Sequence, residues 1–163
     1  MLDAGVAGRD VRYREANAAD VPAMEGARAS DREAGPADAR MAAYLEGRHH
    51  PQQALAARTA FVALIGAEVV GYIAGHETTR YGCNGEVQYL YIAQRLRRQG
   101  VARTLLQSLA AWFAHRGIRR VCVNADVESP GAVPFYVAAG AVPLNTFWYM
   151  WEDIGRVLPV GGL

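Results

Sequence analysis

The chain has 163 residues, 52% of them apolar and 20% charged, and a formal net charge of +1. That length fits one domain whose core needs no disulfide or metal staple. The even charge balance excludes a strong field towards nucleic acid or an acidic surface, and no apolar run approaches the ~18 residues of a membrane span.

Two cysteines, Cys83 and Cys122, stand without paired spacing. They read as reduced, buried thiols rather than a disulfide frame or a zinc knuckle, and no metal is expected. The opening MLDAGVAGRD lacks the basic start and apolar core of a signal peptide; it reads as a flexible tail over residues 1–10, and the cytoplasm is the expected location. The domain is expected over residues 11–155, with a C-terminal tail over 156–163.

In chain order, Val11 to Ala16 alternates apolar and polar residues and predicts a first strand. Asn17 and Asp20 offer caps for a helix starting near Val21-Pro22 and running to about Ala29. Ser30 to Pro36 is a charged loop, and Ala37 to Gly47 a second helix. Thr59–Ile65 and Glu68–Thr78, joined by Gly66-Ala67, predict a hairpin. After a Gly-containing loop, Glu86 to Ala93 is a further strand. Gly100 to Arg116 is a helix, with Val101, Leu105, Leu109 and Trp112 on one face and Leu106 and Phe113 beside them. Arg119 to Ala125 is a strand, Pro130 to Ala139 a short helix stopped by Gly140, and Ala141 to Trp151 one or two closing strands turning at Asn145-Thr146. A meander followed by a strand-helix-strand crossover gives an α/β fold with a mixed sheet, helices covering both faces.

The junction between Glu86–Ala93 and the long helix carries the chemistry. A helix start has unpaired N–H groups and a partial positive charge, and both favour a phosphate. Gly100 permits close backbone approach and Ala102 is small. Arg97, Arg98 and Arg103 add charge in a form that grips phosphate oxygens. The Gly-Lys-Ser/Thr ending of a Walker loop is missing, as are the three glycines of a dinucleotide fingerprint. Taken alone, this segment could also be an ordinary helix cap with solvated arginines.

Its surroundings narrow the choice. Arg97-Arg98-Gln99-Gly100-Val101-Ala102 resembles the Gln/Arg-x-x-Gly-x-Gly/Ala signature of the GNAT superfamily of N-acetyltransferases, and Tyr89-Leu90-Tyr91-Ile92 resembles the apolar strand before it. The proline usual after that strand is absent, with Gln94-Arg95 in its place. Further on, Ser129-Pro130-Gly131-Ala132-Val133-Pro134-Phe135-Tyr136 and Gly140 resemble the family's second signature, Asn-x-x-Ala-x-x-Phe-Tyr-x-x-x-Gly-Phe, with Ser129 for the Asn and Ala141 for the final Phe. The resemblance implies a mostly antiparallel sheet of six to seven strands, splayed between the fourth and fifth and flanked by about four helices. It implies acetyl-CoA as co-substrate, its pyrophosphate on the loop from Arg97 through Arg103 and its pantetheine on the backbones of Leu90, Tyr91 and Ile92. The amide at Ile92 is expected to polarise the thioester carbonyl. Ser129 would still offer the donor a hydroxyl.

An attacking amine must lose a proton, so a general base helps, directly or through a water. Glu86 stands eleven residues before Arg97, a spacing at which family members carry a catalytic glutamate; the bland alternative is an exposed charge at a strand edge. Other relatives place a glutamate five residues before the Asn of the second signature; here Asn124 stands there and cannot take a proton. Tyr136, at the family's tyrosine position, would protonate the leaving thiolate; otherwise it is an aromatic holding the short helix to the sheet.

The remaining features carry less. His49 and His50, being adjacent, make a poor metal pair. His76 could line the acceptor site, and His115 ends the long helix near its negative pole. Tyr72, Tyr81, Tyr89 and Tyr91 read as core or as an acceptor wall. The run Phe147 to Trp151 is sheet core plus a dimer edge, which would allow a homodimer, or else part of that wall. The expected function is direct acetyl transfer to a primary amine, of a small molecule or a protein, without a covalent enzyme intermediate. The alternatives are a non-catalytic acyl-CoA-binding regulatory module and an α/β domain without a CoA site. No nucleic acid or membrane partner is expected.

Overall fold

The computed structural model describes residues 10–30, 40–46, 56–125 and 131–160. The loop expected after Ser30, the pair His49-His50 and the cofactor candidate Ser129 lie outside them.

Seven strands form one sheet in the order β1-β2-β3-β4-β5-β7-β6. They are β1 (Arg12–Glu15), β2 (Arg58–Ile65), β3 (Glu68–Glu77), β4 (Gly85–Ile92), β5 (Val121–Asn124), β6 (Val142–Pro143) and β7 (Trp148–Trp151). The helices are α1 (Val21–Ser30), α2 (Arg40–Leu45), α3 (Val101–His115) and α4 (Ala132–Ala138). Among the described residues only β4 and β5 pair in parallel, which is why a crossover helix, α3, joins them.

Local chemistry explains the entry into α1. The Asn17 side chain accepts the Ala19 N–H at 2.9 Å, and the Asp20 carboxylate accepts the Asn17 N–H at 2.9 Å, a reciprocal cap. Arg14 holds the same carboxylate in a fork, at 2.7 and 2.8 Å. That bond keeps Asp20 below the usual carboxylate range and ties α1 to β1. The expected turn at Asn145 is present, its side-chain oxygen accepting the N–H groups of Phe147 and Trp148.

The sheet carries a core on each face. On one face Met24 of α1 and Met41 and Tyr44 of α2 bury against Val62, Tyr72 and Ala74. On the other, α3 lies on a floor of glycines. A methyl group at Gly75 would sit 2.9 Å from Leu109, and one at Gly85 only 2.6 Å from Phe113. Small residues in β3 and β4 therefore let α3 approach more closely than a normal sheet surface permits. Phe113 is fully buried, whereas Trp112, expected on the inner face, is half-buried with the Arg116 guanidinium 4.9 Å above its ring. The gap over Gly85 accepts the side chain at 113, and the helix cannot turn two bulky aromatics into it at once.

The chain after β7 is also packed. Ile154–Val157 forms a 3-10 turn with Ile154 and Val157 buried, and Gln107 of α3 donates to the Val157 carbonyl at 3.2 Å. The packed structure thus extends to Val157.

Candidate active site

The sheet opens between β4 and β5. These strands pair only from Gly85–Val87 to Val121–Val123. Beyond that point β4 stays with β3, while β5 stays with β7 through the Ala125 N–H to the Phe147 carbonyl, 2.9 Å. The divergence begins at a bulge: Gly75 pairs with Val87 and Ala74 with Tyr89, so Gln88 is an extra residue in β4. A bulge bends a strand and sharpens its twist. It also resets the alternation, so that Glu86 and Tyr89 face the α1–α2 side and Val87 and Leu90 the α3 side.

The opened edge of β4 presents backbone groups. The Ala93 N–H donates to the Val70 carbonyl at 2.9 Å. By antiparallel alternation Tyr91 also turns its N–H and C=O to β3, while Leu90 and Ile92 turn theirs to the opening. Of the three residues expected along the donor, Leu90 offers its N–H and C=O at the free edge and Ile92 its N–H, the Ile92 carbonyl being taken by the Arg97 side chain. Tyr91 is buried, its hydroxyl donating to the Ala27 carbonyl at 3.0 Å.

The edge runs into the start of α3. Gly100 has φ +84° and α3 has no side-chain cap; its first internal bond runs from the Thr104 N–H to the Gly100 carbonyl, 3.1 Å. The N–H groups of Val101, Ala102 and Arg103 therefore have no partner within the helix. A methyl group built on Gly100 meets nothing within 4 Å, so the space before these donors is open. Arg98 holds φ +63°, a left-handed conformation costly for a non-glycine residue. Arg97 donates to the Ile92 carbonyl at 3.2 Å and Gln99 to the Arg95 carbonyl at 3.1 Å, which fixes the loop's shape. Arg97, Arg98, Gln99, Gly100 and Arg103 are exposed, Ala102 is half-buried, and Val101 packs its side chain into the core. An open run of N–H groups flanked by arginines fits a pyrophosphate, and a free strand edge fits an extended amide chain.

Glu86 lies at the closed end of the splay. One row across the sheet contains Arg58, His76, Glu86, Cys122 and Met150 as successive cross-strand partners. Glu86 is only 3% exposed, which removes the bland alternative of a solvated strand-edge charge. Arg80 donates from Nε to its Oε2 at 3.2 Å, supplying the counter-charge a buried carboxylate needs. His76 Nε2 lies 3.4 Å from the same oxygen, off the line a hydrogen bond requires. His76 Nδ1 is bonded to the Tyr44 hydroxyl at 2.8 Å. The donor in the Tyr44–His76 bond depends on the imidazole tautomer; the one in which Tyr44 donates to Nδ1 turns an Nε2 N–H towards the carboxylate. His76 is 1% exposed and supports Glu86 from behind; it does not line an open cleft.

Tyr136 of α4 is buried on the α3 side, its ring edge-on to Trp151 with centroids 5.8 Å apart. Burial pushes its phenol well above the ordinary range, so it is protonated at neutral pH. The indole of Trp151 donates to the Ala139 carbonyl at 3.1 Å and ties α4 to β7. Both thiols are buried, and burial, with Cys83 adjacent, pushes Cys122 far up.

A model of the acetyltransferase (GNAT) family matches residues 27–141. The chain belongs to the GNAT family of acetyltransferases. The match spans α1 to α4 and includes both the phosphate-loop candidate and Tyr136. Among solved structures, this acetyltransferase is similar to a GNAT-family protein of Desulfovibrio desulfuricans at 15% identity and TM-score 0.70, over 89% of this chain and 99% of that one. An acetyltransferase of Thermus thermophilus matches at 19% identity and TM-score 0.67, over 86% and 95%. The PaiA N-acetyltransferase of Thermoplasma acidophilum, in complex with coenzyme A, matches at 14% and 0.65, over 88% and 99%. At these identities the likeness shows the fold. No curated protein matches the sequence.

Sequence reading missed Arg80 and Tyr44 as partners of the site. Neither falls in a motif; strand register brings His76 beside Glu86, and packing of α2 brings Tyr44 onto His76.

Proposed function

We propose that this enzyme transfers acetyl from acetyl-CoA directly to a primary amine, with Glu86 as general base and Tyr136 as proton donor to the leaving thiolate. The observation that carries the reading is the junction itself: a bulged strand with a free edge leads from a buried glutamate to an uncapped helix start. Bound acetyl-CoA supplies an activated acyl carbon and a thiolate leaving group. Arg98, Gly100 and the N–H groups of residues 101–103 would hold its pyrophosphate, and the backbones of Leu90 and Ile92 its pantetheine.

The length of β4 refines one assignment. With the bulged Gln88 counted out, Ile92 lies five strand steps from Glu86, about 17 Å, and Leu90 three, about 10 Å. The amide that polarises the thioester must lie towards the Glu86 end, so Leu90 suits that role better than Ile92, which lies beside the pyrophosphate loop. Glu86 is too buried to meet a free amine directly, which favours proton transfer through one water. A covalent route through cysteine is disfavoured, since a buried, protonated thiol is a poor nucleophile. Two free thiols suit a reducing compartment, the cytoplasm.

The test combines acetyl-CoA calorimetry with release of free thiol in the presence of a panel of primary amines. Donor binding without thiol release for any amine would leave a non-catalytic acyl-CoA-binding module. Glu86→Gln is expected to bind the donor normally and to lose the acidic limb of the pH–rate profile; an unchanged profile would remove Glu86 from the chemistry.

A further inference from the structure

One group in the site is not used by the chemistry above. The Arg80 guanidinium lies between the Glu86 carboxylate and the Trp148 ring, its carbon 4.9 Å from the ring centroid. Only its Nε is engaged, and among the described residues the terminal nitrogens form no further hydrogen bond. The side chain is 38% exposed. Most of the fork is therefore available to a ligand, held in place by an ion pair and a flat ring.

The surface beside it is aromatic. Tyr81 packs edge-on to Trp148, centroids 5.3 Å apart, and is 51% exposed. It holds φ +52°, a left-handed conformation that costs a tyrosine about 1 kcal/mol or more. Such strain persists where the surroundings impose it, often at ligand clamps. Phe147, next in the chain to Trp148, is 54% exposed. Trp148 faces the same side of the sheet as Cys122 and Met150, and hence as Glu86.

We propose that the acceptor is a free amino acid with an aromatic or large apolar side chain: Arg80 binds its carboxylate, Tyr81 and Trp148 its side chain, and its amine is presented towards Glu86. This rests on the amine-acceptor reading above. Charge balance supports it against a polycation: among the described residues the site pairs one carboxylate, Glu86, with one guanidinium, Arg80. A zwitterion matches both signs. On transfer the ammonium first gives one proton to Glu86 through a water; the freed amine nitrogen then bonds the acyl carbon and loses a second proton to solvent as the carbon–sulfur bond breaks, and the thiolate takes a proton from Tyr136, which solvent restores.

The experiment compares thiol release with phenylalanine, phenylalaninamide, phenethylamine and spermidine. Phenylalanine is expected to exceed the amide and the decarboxylated amine in kcat/KM by about 10- to 100-fold, the range of a charge-assisted bond. Arg80→Gln should erase that preference, lowering kcat/KM for phenylalanine more than for phenethylamine, and Trp148→Ala should raise KM for phenylalanine. Equal rates with and without the carboxylate in the natural enzyme would overturn the proposal, whatever the variants do. So would a preference for spermidine, or for the amide, which would point to a peptide N-terminus. Thiol release with none of the four would overturn it as well; extending the panel to further amines would then show whether the amine-acceptor reading falls with it.

Discussion

Gly100 offers a direct test of the phosphate loop, because Gly117 is a built-in control. Both glycines are left-handed, at φ +84° and +74°, and a methyl group on either meets nothing within 4 Å. Alanine at either site therefore pays the same backbone strain, about 1–2 kcal/mol, without a clash. Part of this is offset by the stiffer unfolded chain, worth about 0.4–1 kcal/mol. The net cost is about 1 kcal/mol, or about 2–4 °C in Tm for a domain of this size. The two variants should thus melt alike. They should not bind alike. The methyl group of Gly100→Ala projects before the open N–H groups of α3, while that of Gly117→Ala follows the far end of the helix. Calorimetric titration with acetyl-CoA should show at least a tenfold weaker Kd, about 1.4 kcal/mol, for Gly100→Ala only. Equal donor affinity in the two variants would refute the placement of the pyrophosphate on this loop.

Gly85→Ala puts a methyl group 2.6 Å from Phe113, so overpacking should cost about 1–3 kcal/mol in chemical denaturation, and Phe113→Leu in the same chain should restore part of it. An unshifted midpoint would mean that α3 is not held that close to the sheet. On the proposed role of Tyr136 as donor to the leaving group, Tyr136→Phe should lower kcat by up to about 100-fold while donor affinity stays within twofold; thiol-release kinetics and acetyl-CoA calorimetry separate the two. Cys122 makes stability sensitive to alkali. Its thiol is raised above the ordinary 9.0 by burial, so its contribution is complete below pH 9 and is lost as pH rises towards the folded value. Between pH 9 and 10 this amounts to about 1 kcal/mol, before Tyr44 and Tyr136, raised from 10.0, contribute. Cys122→Ala should flatten that interval in thermal melts, and an identical slope would rule the thiol out.

The sequence alone determined the elements and marked the loop proposed to bind the donor. Periodicity and turn residues placed β2, β3, β4 and α3 to within a residue or two, because their apolar patterns are local and their ends carry glycines. The uncapped helix start at Gly100 with its arginines was legible because its residues are consecutive. Tertiary structure decided the rest. That Glu86 is buried rather than exposed follows from its row across the sheet, set by pairing between strands far apart in sequence. The bulge at Gln88 leaves no mark in composition, yet it opens the sheet and resets which residues share a face with Glu86. Arg80 and Tyr44 belong to the site only through that register and through the docking of α2, and they surround the end of the cleft where an acceptor would bind. The proposed donor site is built from contiguous residues, so the chain displays that half; the proposed acceptor half is assembled from distant segments, and only the fold brings them together.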